Sequence, residues 1–545
     1  MLKRTMLIDS EFLHIPVKIG SPANELQIWL NGVLLYQFSL ELSDGGPYHY
    51  FFMDITDLKD TAIDLVVPRQ KGISAQALSG IFIGQSPEYL PEYADMYNEK
   101  LRPQFHFTCR RGWLNDPNGL YWHDGVYHMF YQHNPFGTLH GGVNISWGHA
   151  TSKNLLQWHE HKDAIFPWRR DWMVASGSAI IDSGNVAGYG KNAVIAAFTG
   201  LGTIDEKGGV HLSGGQFLAA STDDGQSFYR FSQFPSIEAP GGADWRDPRL
   251  FEDGGIYYIA VYERLKDING VSFYKSVNLH DWEFTSWNPH LFECPDIFKL
   301  CVEGSDEEKW VLFGADGLAR LGTFKEGFFI DEGIHYPLDY GFSTYAGQTW
   351  SHAPNEKRIH ISWIRGIDSS EDWEKNLRYT DMPFSQCMSV PCEITLHKQD
   401  GHYHICRFPI KEIEQLRTCP PVYTTLKLQG SLSLQLQAPS EIILHVENFD
   451  NPQLHVNLSG HTIDLDMLSS TATIDDKAPR KLLKSPTEIR VLTDRTTVEF
   501  FIGNEVCATY ATDTDGVHIS LTGDATIRMQ EWELCSIWET RETIC

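Results

Sequence analysis

The chain has 545 residues, 42% of them hydrophobic and 12% aromatic, too many for one ordinary core and enough apolar material for two to four. Its formal net charge of −27 excludes the clustered lysine and arginine that a nucleic acid requires and disfavours an anionic membrane surface, whereas a neutral ligand such as a sugar meets no such penalty. The N-terminus is basic but lacks a signal-peptide core, no run of about 18 apolar residues offers a membrane span, and the ten cysteines have no framework spacing. A cytoplasmic protein with reduced thiols at Cys109, Cys294, Cys301, Cys387, Cys392 and Cys406 is therefore expected, and the sequons at Asn144 and Asn457 carry no meaning in that setting.

From residue 1 to about 99 the chain alternates as half-buried strands do: LHIPVKIG, ELQIWLNGVLLYQFSLEL, YHYFFMDI and TAIDLVV. Asn31-Gly32 marks a tight hairpin within the second run. This segment reads as a small β-sandwich without visible chemistry, and SPEYLPEYADMYNEKLRP after it reads as a linker. The middle, residues 100–408, carries a faint repeat in Ser152-x-Asn154 before Trp158, Ser221-x-Asp223 before Phe228, and Ser276-x-Asn278 before Trp282. Each follows a β-rich run and reads as a tight turn whose aromatic tucks back between sheets, which suits four-stranded propeller blades. After a linker at 409–419, residues 420–545 alternate again with period 2 (KLQGSLSLQLQ, EIILHVENF, EIRVLTDRTTVEFFIG), as two face-to-face sheets require.

Three segments of the middle each put an acid close to an aromatic and one or two residues before a proline: Trp113-Leu114-Asn115-Asp116-Pro117-Asn118-Gly119, Trp245-Arg246-Asp247-Pro248 and Phe292-Glu293-Cys294-Pro295-Asp296. Proline drives its predecessor out of the helical region, so Asp116 and Asp247 are expected on extended backbone at the end of an element. Taken singly, Asn-Asp-Pro-Asn-Gly also suits an ordinary turn and Arg-Asp-Pro a surface ion pair. Taken together, three acids fit glycoside hydrolysis, which needs a nucleophilic carboxylate and a protonated carboxyl of raised pKa; a third acid can hold sugar hydroxyls, kept ionised by Arg246.

At these residues the chain resembles glycoside hydrolase family 32, the invertase, levanase and inulinase family. The likeness extends through Phe130-Tyr-Gln132-His-Asn-Pro135, Ser146-Trp147-Gly-His-Ala150, Ser176-Gly-Ser-Ala179, Tyr345-Ala-Gly-Gln-Thr-Trp350 and Asp494-Arg-Thr-Thr-Val-Glu499. It implies an all-β fold, a five-bladed propeller followed by a β-sandwich, here with an extra N-terminal β-domain. It implies Asp116 as nucleophile, Asp247 as transition-state stabiliser and Glu293 as acid/base, with Asn115, Gln132, Trp147, Ser176, Arg246 and Trp363 around the terminal fructosyl unit. It implies no cofactor or metal and a small-molecule or oligosaccharide fructoside as partner; self-association is left open. Two departures bear on linkage preference: Phe136-Gly-Thr-Leu-His140-Gly-Gly142 lacks the tryptophan usual there, and Ala175 stands where phenylalanine is common.

Other signals are weaker. His159-Glu160-His161 lacks a third metal ligand, Asp513-Thr-Asp-Gly516 lacks the acid of a calcium loop, GLGTIDEKGG opens no helix, and Cys294 has no paired histidine and reads as packing under the acid. The rival functions are a fructosyltransferase with the same motifs and a non-catalytic carbohydrate-binding protein. A sialidase-like propeller lacks sequence support.

Overall fold

Period-2 alternation becomes strand almost throughout the computed structural model, which describes all residues except 47, 168–171, 203–213, 239–243, 367–378, 380, 476, 513–516 and 539–545. Asp513–Gly516 and most of the run 200–209 thus lie outside the described residues. The N-terminal segment folds into two sheets. Leu2–Leu7, Ala62–Val67, Asn24–Leu30 and Val33–Leu40 form one, and His49–Asp54, Phe12–Val17 and Phe82–Gly84 the other. Their inward residues, among them Leu13, Ile15, Ile28, Phe51 and Leu65, have no exposed surface. Asn31 and Gly32 have φ of +49° and +80°, as the hairpin signal demands. The stretch read as a linker is instead packed. Glu99 is buried between Arg102 (2.7 Å) and Arg111 (2.6 Å), and the Tyr97 ring stacks on Trp538 at 4.2 Å.

Five sheets follow, each with its first strand innermost: Gly112–His123, Trp172–Asp182, Trp245–Asp253, Asp296–Cys301 and Thr344–Thr349. These five strands adjoin one another in a ring. The ring is closed where Phe384–Ser385, from the last blade, pairs in parallel with Gly112 and Trp113 of the first. The three Ser-x-Asn/Asp repeats are the turns leaving the third strand of consecutive blades. The Asn154, Asp223 and Asn278 carboxyl or amide oxygens accept backbone N–H groups two to four residues on. The following aromatics pack inward, with Trp158 on Trp350 and Phe228 on Phe130.

The C-terminal strands form one hydrogen-bonded sheet of ten, folded over a shared apolar core as a sandwich. Its two long strands, Val422–Leu436 and Val517–Glu533, pair along their length and bend together at Gly430 and Gly523, which face each other with φ of +85° and +157°. The propeller meets this sandwich through His106, whose ring nitrogens lie 2.9 Å from Asp494 and 3.1 Å from Glu499, all three fully buried. Among the described residues no helix is long and apolar enough to cross a membrane.

Candidate active site

Four of the five innermost strands break register at the same level. The pairing skips between Leu114 and Pro117, Val174 and Gly177, Arg246 and Arg249, and Tyr345 and Gln348. Asp116, Ser176, Asp247 and Ala346 therefore sit at bulges, where an unpaired residue turns its side chain out of the pleat. Pro117 and Pro248 have no N–H to give a ladder and so help hold the bulges open. Neither acid stands at an element's end as expected: Asp116 lies within Gly112–His123 and Asp247 within Trp245–Asp253, and Asp247 is not extended but at φ +63°, its N–H taken by Thr199 Oγ1 at 2.8 Å. Glu293 and Cys294 precede the fourth inner strand with φ of +48° and +40°. Such non-glycine backbone strain is tolerated where the surroundings dictate it.

The bulges bring the three acids together around one thiol. Cys294 Sγ lies 3.4 Å from Asp116 Oδ2 and 3.5 Å from Asp247 Oδ2, and its backbone N–H donates to Asp247 Oδ2 at 3.3 Å. Ser176 Oγ donates to Asp116 Oδ2 at 2.6 Å and Asn115 Nδ2 to Asp116 Oδ1 at 3.1 Å; the Asn115 amide is itself oriented by Trp113 Nε1 at 2.8 Å. Arg246 binds Glu293 and Asp244 through its terminal nitrogens, lies 4.8 Å over the Tyr262 ring, and approaches Asp247 only through Nε at 3.6 Å. Tyr345 donates its hydroxyl to Glu293.

The electrostatics follow from burial and crowding. Burial raises the Asp116 pKa, Glu293 adds to the rise, and the bonds from Ser176 and Asn115 oppose it. Burial pushes Asp247 up further, to about 7; Arg246 opposes this, but the charges of Glu293 and Asp116 reinforce it. Arg246 thus does not keep Asp247 firmly ionised as the sequence suggested, because its guanidinium is largely spent on Glu293 and Asp244. Asp116 and Asp247 are therefore both harder to ionise than a solvent-exposed carboxylate. Burial and the three acids drive the Cys294 thiol well up, so it remains S–H. Burial and Glu293 do the same to the Tyr345 phenol, leaving it a donor.

The remaining expected residues are placed as follows. Gln132, almost fully buried, donates to the Val174 carbonyl at 3.1 Å and so ties the first blade to the strand carrying Ser176. Trp363 continues an edge-to-face line from Trp113 (5.8 Å) to Tyr345 (6.1 Å), with its indole N–H on Gln386. Trp147 corrects the reading of a substrate-facing ring. It has no exposed surface, packs between Phe130 and Phe198, and holds the Ala175 carbonyl at 3.0 Å, thereby supporting the Ser176 strand from behind. Phe136, in the segment lacking the usual tryptophan, turns to the N-terminal sheets and meets Phe38 at 4.0 Å, while His140 stands edge-on to Trp113. Sequence reasoning assigned no role to Tyr345 or Thr199 and missed the double contact of Cys294. Tyr345 stood within a noted motif, but its pairing with Glu293 spans 52 residues and leaves no local signal.

The family described as "Glycosyl hydrolases family 32 N-terminal domain" matches residues 106–407. The levanase of Bacillus subtilis (strain 168) is 28% identical over 466 residues, covering 75% of this chain and 65% of that protein, so the chain spans just under two thirds of its length. An extracellular exo-inulinase of Aspergillus awamori is 26% identical over 558 residues, covering 87% of this chain and 100% of the inulinase. The crystal structure of exo-inulinase from the same species shares the fold, with a TM-score of 0.69 at 24% identity over 81% of this chain and all of the other.

Proposed function

The chain belongs to glycoside hydrolase family 32, and from that premise we propose that it is a retaining β-fructofuranosidase, releasing single terminal fructosyl units from sucrose, fructo-oligosaccharides or fructans. The observation carrying this is the convergence of Asp116, Asp247 and Glu293 on Cys294 and Arg246. Asp116 attacks the anomeric carbon as the glycosidic C–O bond breaks, and Glu293 gives its proton to the departing oxygen. Water then attacks the same carbon, Glu293 takes the water's proton, and the bond to Asp116 breaks. The oxocarbenium-like charge in the transition state of each step forms beside carboxylates already in place. Sugar hydroxyls donating to Asp247 stabilise its ionised form against the burial that raises its pKa. Asn115 and Ser176 hold Asp116 ionised and aimed, and no metal or cofactor enters any step.

Buried thiols at Cys109, Cys294, Cys387, Cys392, Cys406 and Cys507, none of them in a disulfide, support a cytoplasmic setting, which cell fractionation tests. For the reaction itself, NMR of the first sugar released from sucrose is the direct test. β-Fructofuranose appearing before its anomer fits retention, and the α anomer first overturns it. Oligofructosides released before free fructose from a long fructan would overturn the exo mode.

A further inference from the structure

A cavity of about 350 Å³ lies between the N-terminal sheets and the outer part of the first blade, and shares no lining residue with the catalytic group. We propose that it is a second saccharide-binding site, taking a neutral ring of the fructoside chain; the kind of sugar rests on the functional reading above. The volume is that of a small-ligand site, about 300–1,000 Å³. Half-buried aromatics face it from both sides, Phe12, Tyr36 and Phe52 from the N-terminal sheets and Phe166 from the propeller, with Tyr36 edge-on to Phe166 at 6.2 Å. Flat apolar faces at the rim of a polar cleft are what a sugar's C–H face stacks upon.

The polar lining selects among ligands. Asp54, Asp57 and Glu88 repel an anion, Arg110, Arg111 and Lys162 repel a cation, and a wholly apolar guest would strip water from all six. The strongest charges are already matched: Glu160 accepts from Arg110, and Asp163 from His133 and Ser146. Three polar groups remain without a hydrogen-bond partner among the described residues, the Tyr36 hydroxyl, the His159 imidazole and the Gln226 side-chain amide. They come from two strands and a turn and line one space. A donor–acceptor set of this kind suits hydroxyls. The seam is also built by the chain's own departure from its family pattern, since Phe136 there leaves the catalytic side and packs on Phe38 beneath the cavity.

The test uses the full-length Glu293→Gln protein, so that ligand survives, titrated calorimetrically with inulin-type and levan-type tetrasaccharides. Two sites per chain are expected. His159→Ala, at an exposed and unbonded residue that the fold does not need, and Tyr36→Ala combined with Phe166→Ala should each weaken or remove one of them. In otherwise active enzyme the same changes should leave sucrose hydrolysis unchanged and raise the apparent KM for polymeric fructan, by up to roughly tenfold for each hydrogen bond or aromatic contact removed. One site per chain in parent and variants alike overturns the seam site while leaving catalysis standing. Two sites that persist through both substitutions overturn its location. An unsubstituted enzyme that hydrolyses no fructoside overturns the functional reading and with it the choice of sugar.

Discussion

Replacing Glu293 by glutamine separates proton transfer from the rest of catalysis. The side chain keeps its length and can still accept from Tyr345, but it loses the proton and the ion pair with Arg246. General acid catalysis is worth about 10²–10⁴-fold, or roughly 2.7–5.5 kcal/mol of barrier, where the leaving group needs the proton. Sucrose hydrolysis should fall by that factor. A nitrophenyl fructoside, whose leaving group departs unaided, should still form the covalent intermediate on Asp116. That intermediate should then persist because no base activates water, and azide should accelerate its breakdown. The pH profile supplies a second readout with a definite sign. The Glu293 charge is one of the causes that raise the Asp116 pKa. Removing it lowers that pKa, so the acidic limb of intermediate formation should move to lower pH. The assay is rapid-mix kinetics on both substrates in wild type and variant, with mass spectrometry of the trapped adduct. Equal fractional loss on both substrates, or an acidic limb that moves upward, would refute the role of Glu293 and the coupling between the acids.

Asp247→Asn should retain the fold and lose kcat by more than the roughly 10- to 150-fold that one charge-assisted hydrogen bond of about 1.5–3 kcal/mol supplies; a variant that only raised KM would remove it from transition-state stabilisation. Gly177→Ala would place a methyl 2.0 Å from the Ala197 carbonyl, so thermal unfolding should show a loss of about 1–3 kcal/mol or more, with activity falling as Ser176 is displaced. His106 has its pKa raised to about 9: burial alone would lower it, but Asp494 and Glu499 outweigh that. Its contribution to stability is therefore fully present below about pH 6.5 and lost as pH climbs through about 9, so Tm measured across that range should fall in wild type and stay flatter in His106→Gln.

The parts of the fold that were legible are those written in short-range pattern. The Asn31-Gly32 turn and the Ser-x-Asn/Asp turns need only a few consecutive residues to declare themselves, because the side-chain oxygen bonds its own following backbone. The first strand, Leu2–Leu7, escaped notice because it alternates half-buried with exposed at a sheet edge and never forms an apolar run. The stretch 86–103 misled for the opposite reason. Its charges look like those of a solvated connector, yet Glu99, Arg102 and Arg111 neutralise one another inside the protein, a pairing that no local composition reveals.

At the candidate site the same division has a mechanical cause. An acid before a proline announces a departure from regular structure, and that is why Asp116 and Asp247 stood out. The form of the departure depends on the partner strand, since a bulge exists only where two residues oppose one. Asp247 shows the consequence: Thr199, from the neighbouring blade, takes its N–H and helps fix φ at +63°, and this sets the carboxylate against Cys294. Asn118 in turn accepts from Gly177 N, Ser178 accepts from Leu250 N, and Gln348 donates to the Gly177 carbonyl. The inner strands of the first, second, third and fifth blades therefore fix one another's bulges. Each acid is aimed by a blade other than its own. The side chain of Ser178, two residues beyond Ser176 on the same strand, accordingly governs the third blade's geometry without touching an acid, accepting from Leu250 and donating to Pro248. Residues of this kind carry no chemistry of their own, and a sequence read for reactive groups passes over them.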